Sequence, residues 1–321
     1  MISVLVPCYN ETQVLELLYE RFTRAATAWN EPYEVVIVDD GSEEASWAKI
    51  RELHARDKSW KSIRFTRNFG HQTAVSAGLH HVVGDCVIVI DADLQDPPEE
   101  LHRFIDKWRE GYEVVYAIRT KRKEGVLKRA CYKLFYILLG RLAANTIPYD
   151  SGDFCLMDRK VVDILNQMPE HNRFVRGLRA WTGFRQIGLT YERHSRAAGE
   201  AQYTLSKLIA LAADGIFSFS TIPLRIVTWL GLAVSGLAGV IMVLLFIQRI
   251  FRDFFESIGQ APPPGFATIV IAIFFLGGVQ LICLGVIGEY IGRIYDEVKR
   301  RPLWIIRDYL GVDPGNGMRG E

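Results

Sequence analysis

Apolar and polar positions alternate with two different periods over residues 1–118. Short apolar runs rich in Val and Ile predict strands at 2–6, 34–38, 62–65, 86–90 and 113–117. Between them, segments with apolar residues three or four positions apart predict helices at 12–29, 44–57, 72–83 and 98–110. This order predicts an α/β fold with a mostly parallel sheet and right-handed crossover connections.

The fourth predicted strand ends at a pair of acidic residues. Four β-branched residues, Val87–Ile90, indicate a strand buried on both faces, and Asp91 and Asp93 follow it. In an extended strand, side chains two positions apart point the same way. Two such carboxylates repel each other, and a divalent cation such as Mg²⁺ or Mn²⁺, shared with a substrate phosphate, would offset that repulsion. The alternative is a solvated acidic turn ahead of the helix that begins near Pro98.

Two further polar loops follow the first and second predicted strands, at residues 7–11 and 39–42. Open α/β sheets bind ligands at this edge, and acids after a second strand can hydrogen-bond a ribose or a base. No Gly-x-Gly-x-x-Gly segment follows the first strand and the sequence contains no Gly-Lys-Ser/Thr loop, which argues against NAD, FAD and P-loop chemistry. Asp40-Gly41-Ser42 also fits an ordinary turn and helix cap.

Composition and charge exclude several classes of protein. The 321 residues carry a net charge of +1, so no overall field favours nucleic acid. The five cysteines are odd in number, scattered and without a Cys-x-x-Cys pair, which favours neither a zinc site nor a disulfide framework. No signal peptide is expected, because a strand is predicted from Ile2 onward.

Two uncharged apolar stretches, 226–248 and 266–288, predict membrane-spanning helices within a segment 223–289. The alternative is a pair of buried core helices, although such helices seldom lack a polar stripe over this length. An interfacial amphipathic helix is predicted at 204–222, and a cytosolic C-terminal segment at 290–321. The distribution of Lys and Arg predicts a multi-pass protein of the inner (plasma) membrane, with the enzyme domain and both termini in the cytoplasm.

Residues 119–150 are basic and amphipathic. Between positions 119 and 133, seven Lys and Arg residues alternate with aromatic and aliphatic side chains. Such a segment favours association with a membrane surface and capture of a lipid-borne phosphate. A solvated basic face is the alternative interpretation.

Several motifs in order carry a family resemblance. They are Val6-Pro7-Cys8-Tyr9-Asn10-Glu11, Val38-Asp39-Asp40-Gly41-Ser42, Arg67-Asn68-Phe69-Gly70, Asp91-Ala92-Asp93-Leu94-Gln95-Asp96-Pro97-Pro98-Glu99 and Gly288-Glu289-Tyr290-Ile291-Gly292-Arg293. With them the chain resembles the family 2 glycosyltransferases of GT-A (Rossmann-like) fold, and more narrowly those that use a polyprenyl phosphate acceptor. The resemblance covers nearly the whole chain and implies a catalytic domain at 1–203.

The resemblance also implies roles for individual residues. Residues implied to bind the nucleotide sugar are Pro7, Tyr9, Asn10, Glu11, Asp39, Asp40, Asn68, Asp91, Ala92 and Gln95. Residues implied to hold Mg²⁺ or Mn²⁺ are Asp91, Asp93 and Gln95, and those chosen for the acceptor phosphate are Arg119, Arg129, Lys133 and Arg196. Asp93 and Asp153 are the candidate catalytic residues. The family usually has a Ser/Thr-Lys pair where this chain has Ala201-Gln202, which puts phosphate contacts of that loop in doubt.

Asp153 has two further interpretations. It also fits a loop aspartate that caps the helix starting near Arg159. A phosphate monoester has a second pKa near ~6 and is mostly dianionic at neutral pH. The acceptor therefore attacks without losing a proton, and Asp153 would then orient groups or stabilise positive charge on the sugar.

The expected function is inverting transfer of a hexose, glucose from UDP-glucose foremost, to undecaprenyl phosphate at the cytoplasmic membrane face. Aminoarabinose, mannose or galactose donors fit the same motifs. A processive polysaccharide synthase and a non-catalytic membrane scaffold are two different functions that the sequence leaves open. The expected partners are the nucleotide sugar, the lipid acceptor and the membrane; a homo-oligomer, by resemblance a tetramer, is a further expectation.

Overall fold

The computed structural model describes residues 1–119, 151–171, 173–191, 222–251 and 265–314. The chain divides into two compact units, Met1–Ala212 with Arg300–Glu321, and Ala213–Lys299. The strands of the first unit are β1 (Ile2–Cys8), β2 (Tyr33–Asp39), β3 (Trp60–Phe65), β4 (Cys86–Val89), β5 (Val114–Arg119), β6 (Ser151–Asp158), β7 (Gln186–Tyr191) and β8 (Ile306–Leu310). Its helices are α1 (Leu15–Ala26), α2 (Glu44–Arg56), α3 (His71–His81), α4 (Leu101–Arg109), α5 (Arg159–Gln167) and α6 (Val175–Trp181).

The eight strands form one sheet in the order β7-β5-β6-β4-β1-β2-β3-β8. The central strands β4, β1, β2 and β3 are parallel to one another, and β7 is parallel to β5. β6 runs antiparallel to both β4 and β5, and β8 runs antiparallel to β3. The predicted α/β fold with a mostly parallel sheet is confirmed, with two antiparallel strands added to it.

The core lies on both faces of the central strands. β1 and β4 are buried along their whole length, as expected for largely apolar strands at the centre of a parallel sheet, and the one serine of β1, Ser3, donates to Glu34 at 2.6 Å. Phe22 packs edge-on against Trp29 and Trp60 beneath α1. On α3, Gly78 lets the helix approach β1, since a Cβ there would lie 2.0 Å from a methyl carbon of Leu5. These contacts hold in place the central strands, and the polar loops follow the carboxyl ends of these strands.

Three details differ from the sequence predictions. β4 ends at Val89, so Asp91 and Asp93 lie in a turn and not in an extended strand. Ser151–Asp158, where the sequence indicated a loop, is strand β6. Asp158, and not Asp153, caps the following helix, because its side chain accepts a hydrogen bond from the amide of Lys160 at 3.0 Å.

Residues 306–310 belong to the sheet of the first unit. The sequence predicts a separate cytosolic segment for residues 290–321, whereas β8 pairs with β3 at the edge of the sheet. The amide of Thr66 also donates to the carbonyl of Ile305 at 3.0 Å, and the ring of Trp304 lies against His80. A five-residue edge strand has little periodicity of its own, so its place depends on a partner that is distant in the sequence.

The second unit contains two long apolar helices, α7 (Ile222–Ile250) and α8 (Gly265–Lys299). Each predicted apolar stretch, 226–248 and 266–288, lies within one of them. By length and composition alone, the windows Leu224–Ile241 and Phe275–Lys299 are able to cross a membrane, and neither is buried within the chain. The predicted interfacial helix at 204–222 lies outside the described residues except for its last position.

Candidate active site

Polar loops from three neighbouring strands meet at one edge of the sheet. β1 lies between β2 and β4 and is parallel to both, so the carboxyl ends of all three strands lie side by side. Cys8 pairs with Asp39 in the ladder, and the amide of Asp40 donates to the carbonyl of Cys8 at 2.9 Å. The edge predicted to bind a ligand is therefore assembled from adjacent strands.

Asn10 joins the first loop to the second. It has a positive φ of 57°, its amide donates to the Ser42 hydroxyl at 2.9 Å, and its side-chain oxygen accepts from the amide of Glu43 at 2.9 Å. Among its neighbours, Pro7 is buried, Tyr9 is half exposed and Glu11 provides the carbonyl that starts the turn into α1. Asn10 thus shapes the loop, and both Tyr9 and Asn10 are exposed to solvent there.

Asp39 is completely buried, and groups of the same chain bind its carboxylate. One oxygen accepts from the amide of Ser42 at 3.1 Å, and the other lies 3.3 Å from Nε of Arg64. Burial raises the pKa of Asp39, while the hydrogen bonds from Ser42 and the charge of Arg64 act in the opposite direction. Contact of Asp39 with a base stays a prediction, and it requires the side chains covering this carboxylate to move.

Asp40 holds the third loop in place. Its two carboxylate oxygens accept hydrogen bonds from the amides of Phe69 and Gly70, at 2.6 and 2.9 Å. The chain passes close by at Gly41, where a Cβ would lie 2.3 Å from the backbone of Arg67 and where φ is +72°. Asn68, predicted to bind the nucleotide sugar, is exposed on this loop. Asp40-Gly41-Ser42 therefore forms a turn, as one interpretation of the sequence predicted, and in addition Asp40 anchors the loop at residues 67–70.

The acidic loop after β4 turns sharply. Leu94 is buried and adopts the left-handed conformation at φ 57°, which is uncommon for a residue other than glycine. Asp93 is 9% exposed and accepts a hydrogen bond from the amide of Gln95 at 3.1 Å. Asp96 is buried and accepts a hydrogen bond from the Tyr191 hydroxyl. Ala92, also predicted to line the donor site, is buried in the same turn.

Asp91 is the more exposed carboxylate of this loop, with 31% of its side chain accessible. Loss of solvent raises its pKa to about 6; the charges of Asp153, Asp96 and Asp93 add to this rise, and His71 opposes it. Carboxylates whose negative charges repel one another are the ligands that a hard cation stabilises.

Asp153 lies beside the acidic loop and is held by side chains from two helices. Arg176 donates from Nε to one oxygen at 2.9 Å and from Nη2 to the other at 3.3 Å. Nε2 of the Gln72 side chain donates to Oδ2 at 3.4 Å, and Nε2 of His71 lies 3.4 Å from the same oxygen. Although burial alone would raise the pKa of Asp153, Arg176 and His71 hold it well below its usual range.

His71 bridges the two acidic groups, because its Nε2 also lies 3.8 Å from Asp91. Burial lowers the pKa of His71, but the hydrogen bond to Asp153 and the charges of Asp91 and Asp153 outweigh it and raise the pKa. His71, Gln72 and Arg176 were absent from the predicted site. His71 and Gln72 directly follow the Arg67–Gly70 motif, which is the sequence signal that points to them.

The predicted metal ligands fit a cation that shares its coordination with a substrate. Within the described residues, no three His, Cys, Asp or Glu side chains form an enclosing group. Mg²⁺ commonly takes one or two carboxylates together with water and substrate phosphates, so a full protein cage is not required. The observation that favours a cation here is the pair of carboxylates in one turn, with Asp91 partly accessible to solvent and Asp93 largely buried beside it.

The predicted acceptor-phosphate residues lie mostly beyond what the structure describes. Arg119 is the last residue of β5. Arg129, Lys133 and Arg196 lie outside the described residues, as does the Ala201-Gln202 departure. Their assignments stay predictions.

Comparison with known proteins identifies the family. The family model described as Glycosyl transferase family 2 matches residues 3–165, which contain all three polar loops and Asp153. The chain belongs to glycosyl transferase family 2. A second family model, described as GtrB C-terminal hairpin, matches residues 222–294 of this glycosyltransferase, the segment with the two long apolar helices.

Curated relatives match along nearly the whole length. An uncharacterized glycosyltransferase of Synechocystis sp. is 44% identical over 313 residues, covering 97% of this chain and 96% of the relative. A Bacillus subtilis glycosyltransferase is 44% identical over 312 residues, covering 97% and 94%. A bactoprenol glucosyl transferase of Shigella phage SfX is 39% identical over 307 residues, covering 95% and 98%. The family resemblance of the sequence motifs is confirmed.

Proposed function

We propose that this glycosyltransferase moves glucose from UDP-glucose to the phosphate of undecaprenyl phosphate, with inversion at the anomeric carbon. The proposal is supported by relatives named bactoprenol glucosyl transferase that match almost the whole chain. Another donor sugar, such as aminoarabinose, mannose or galactose, on the same lipid is the nearest alternative.

The observation that carries the proposal is that two acidic loops lie close together at the carboxyl end of the central strands. The Asp39–Asp40 loop and the Asp91–Asp93 loop follow β2 and β4, the two neighbours of β1. This arrangement suits a nucleoside diphosphate, with the nucleoside on the β2 side and the diphosphate beside the acidic turn. Asp153 stands next to the acidic turn, where the sugar of such a donor would lie.

Asp91, Asp93 and Gln95 would hold the Mg²⁺ or Mn²⁺ ion. When bound, the ion neutralises the charge that develops on the departing nucleoside diphosphate. The chain's part is to hold the two carboxylates in place, to which the left-handed turn at Leu94 and the hydrogen bond from the amide of Gln95 to Asp93 contribute.

Transfer is then a single displacement. An oxygen of the acceptor phosphate forms a bond to the anomeric carbon, the bond from that carbon to the UDP oxygen breaks, and UDP leaves with the electron pair. The acceptor phosphate is mostly dianionic at neutral pH and needs no base. Asp153, surrounded by donors, is suited to remain a carboxylate and to stabilise positive charge on the sugar ring. Arg119, Arg129, Lys133 and Arg196 would bind the acceptor phosphate.

A membrane location suits an acceptor that cannot leave the bilayer. We assign α7 and α8 as the two spans, with the catalytic domain and both termini on the cytoplasmic side of the plasma membrane. Tethering the enzyme to its acceptor's own phase raises the local concentration of acceptor. Self-association through glycine-containing helix faces, as a homo-oligomer, belongs to the same proposal.

The decisive experiment uses the full chain reconstituted with undecaprenyl phosphate and Mn²⁺. UDP-glucose, UDP-galactose and GDP-mannose are supplied separately, and the lipid products are identified by mass spectrometry. We expect a single hexose on the lipid phosphate with UDP-glucose, and none with EDTA or in the Asp93→Asn variant. A polymeric product would support a processive synthase. Absence of metal-dependent nucleotide release from every donor would support a non-catalytic scaffold.

A further inference from the structure

Helix α6 reaches the site through its first turn. Its first residue, Val175, donates its backbone amide to the side-chain oxygen of Gln72 at 3.0 Å. The amide nitrogen of the same Gln72 side chain donates to Asp153 at 3.4 Å. One glutamine from α3 therefore fixes both the start of α6 and the carboxylate on β6.

Arg176, the next residue, completes this arrangement. Its guanidinium bonds both oxygens of Asp153, at 2.9 and 3.3 Å, which restricts rotation of the carboxylate about its side-chain bonds. Three-quarters of the Arg176 side chain and 84% of the Asp153 side chain are shielded from solvent, so water competes weakly for these hydrogen bonds. A carboxylate held this way has one orientation and keeps its charge.

We propose that Arg176 is a positioning residue of the glycosyl transfer, acting through Asp153, whose carboxylate it orients toward the reacting sugar. This inference rests on the proposed function, which places the sugar next to Asp153. Gln72 adds a hydrogen bond to Oδ2 of Asp153 and, through the amide of Val175, fixes the start of the helix that carries Arg176. Neither Arg176 nor Gln72 is required to touch the donor.

A direct role for Asp153 in proton abstraction fits this geometry less well. Arg176, Gln72 and His71 direct four contacts at the carboxylate of Asp153, one at Oδ1 and three at Oδ2, and all of them favour its charged form. Accepting a proton would weaken each of them. A fixed negative charge beside the anomeric carbon needs no vacant position and agrees with an acceptor that arrives already deprotonated.

The test is a double-mutant cycle on the full chain, using Arg176→Gln, Asp153→Asn and the combined variant. We measure kcat and the donor KM for metal-dependent transfer, and UDP binding by calorimetry in the presence of Mn²⁺. Arg176→Gln is expected to lower kcat about 10- to 100-fold and to change UDP affinity less than about twofold. In the Asp153→Asn background, the same substitution is expected to lower kcat less than about twofold further.

Conservative and control variants separate positioning from a general effect on folding. Arg176→Lys retains a charge and one donor to Asp153, so it should recover part of the lost kcat. Arg185→Gln, at an exposed arginine next to β7 that stacks over Tyr112, should match the wild type. If Arg176→Gln does not fold, Arg176→Lys is measured alone and with Asp153→Asn in the same cycle.

Each outcome decides the matter. Additive losses in the double variant, or an equal loss of UDP affinity, would overturn the positioning role while leaving the proposed function intact. Wild-type kcat in a folded Arg176→Gln protein would overturn it as well. A wild-type chain that turns over no nucleotide sugar would overturn the proposed function and this inference together.

Discussion

Replacing Asp91 by Asn should stabilise the metal-free protein at neutral pH. In the folded chain, burial raises the pKa of Asp91 to about 6 from an ordinary value of 3.8, and neighbouring acids add to that rise. Between these two values the folded chain binds the proton more tightly than the unfolded chain does. Ionised Asp91 therefore costs stability, fully above about pH 6 and not at all below about pH 4.

The structure sets the size of this effect. The difference of about 2 between the two pKa values corresponds to at most about 3 kcal/mol. Because 31% of the Asp91 side chain is accessible to water, screening reduces the penalty, and we expect about 1–2 kcal/mol. For a domain of this size, that corresponds to a rise in Tm of roughly 2–8 °C.

The assay is thermal unfolding of the full chain in EDTA, followed by tryptophan fluorescence. Asp91→Asn should melt above the wild type at about pH 7.5, and the gap should shrink by about half at pH 5. Mn²⁺ should stabilise the wild type and not the variant, because the amide is a poorer ligand. Asp106→Asn, at an exposed carboxylate of α4, serves as the matched control. An Asp91→Asn protein that melts below the wild type in EDTA at neutral pH would refute the reasoning.

Three further substitutions test separate parts of the site. Asp93→Asn should reduce transfer by at least about 100-fold with unchanged membrane insertion, because it removes a ligand of the cation; activity is measured on reconstituted protein and insertion by membrane extraction. Arg129→Ala should raise the KM for lipid phosphate about tenfold and leave donor KM unchanged, and equal changes in both constants would contradict the acceptor assignment. Asp40→Ala should lower the free energy of unfolding by about 1–3 kcal/mol, because the amides of Phe69 and Gly70 lose their acceptor; denaturant titration measures this, and unchanged stability would contradict it.

The parallel centre of the fold was predictable because its signal is local. Strands β1 and β4 are buried on both faces, so Ile2–Val6 is apolar apart from Ser3, and Val87–Ile90 is a continuous apolar run. Strand β6 gave a weaker signal, because its apolar run, Phe154–Met157, is only half of the strand and follows the polar segment Ser151–Asp153. Its antiparallel place between β4 and β5 comes from pairing with strands that lie far away in the sequence.

The candidate site was predictable in its location and less so in its geometry. Motif order placed Asp91 and Asp93 correctly at the carboxyl end of the central strands. Their predicted extended arrangement was wrong, because β4 ends at Val89 and a turn begins before Asp93. The ring of donors around Asp153 could not be predicted from spacing. Gln72 and Arg176 lie 81 and 23 positions from Asp153, and folding alone brings them together.

The position of β8 has a practical consequence for protein production. The backbone leaves the sheet after β7, forms the two apolar helices, and comes back to pair with β3. A fragment that ends near residue 212 would lack the edge strand β8. The backbone N–H and C=O groups of β3 would then be unpaired, and such an exposed strand promotes aggregation. A fusion that omits residues 213–299 and joins residues 300–314 through a flexible glycine-serine linker keeps β8 in the sheet.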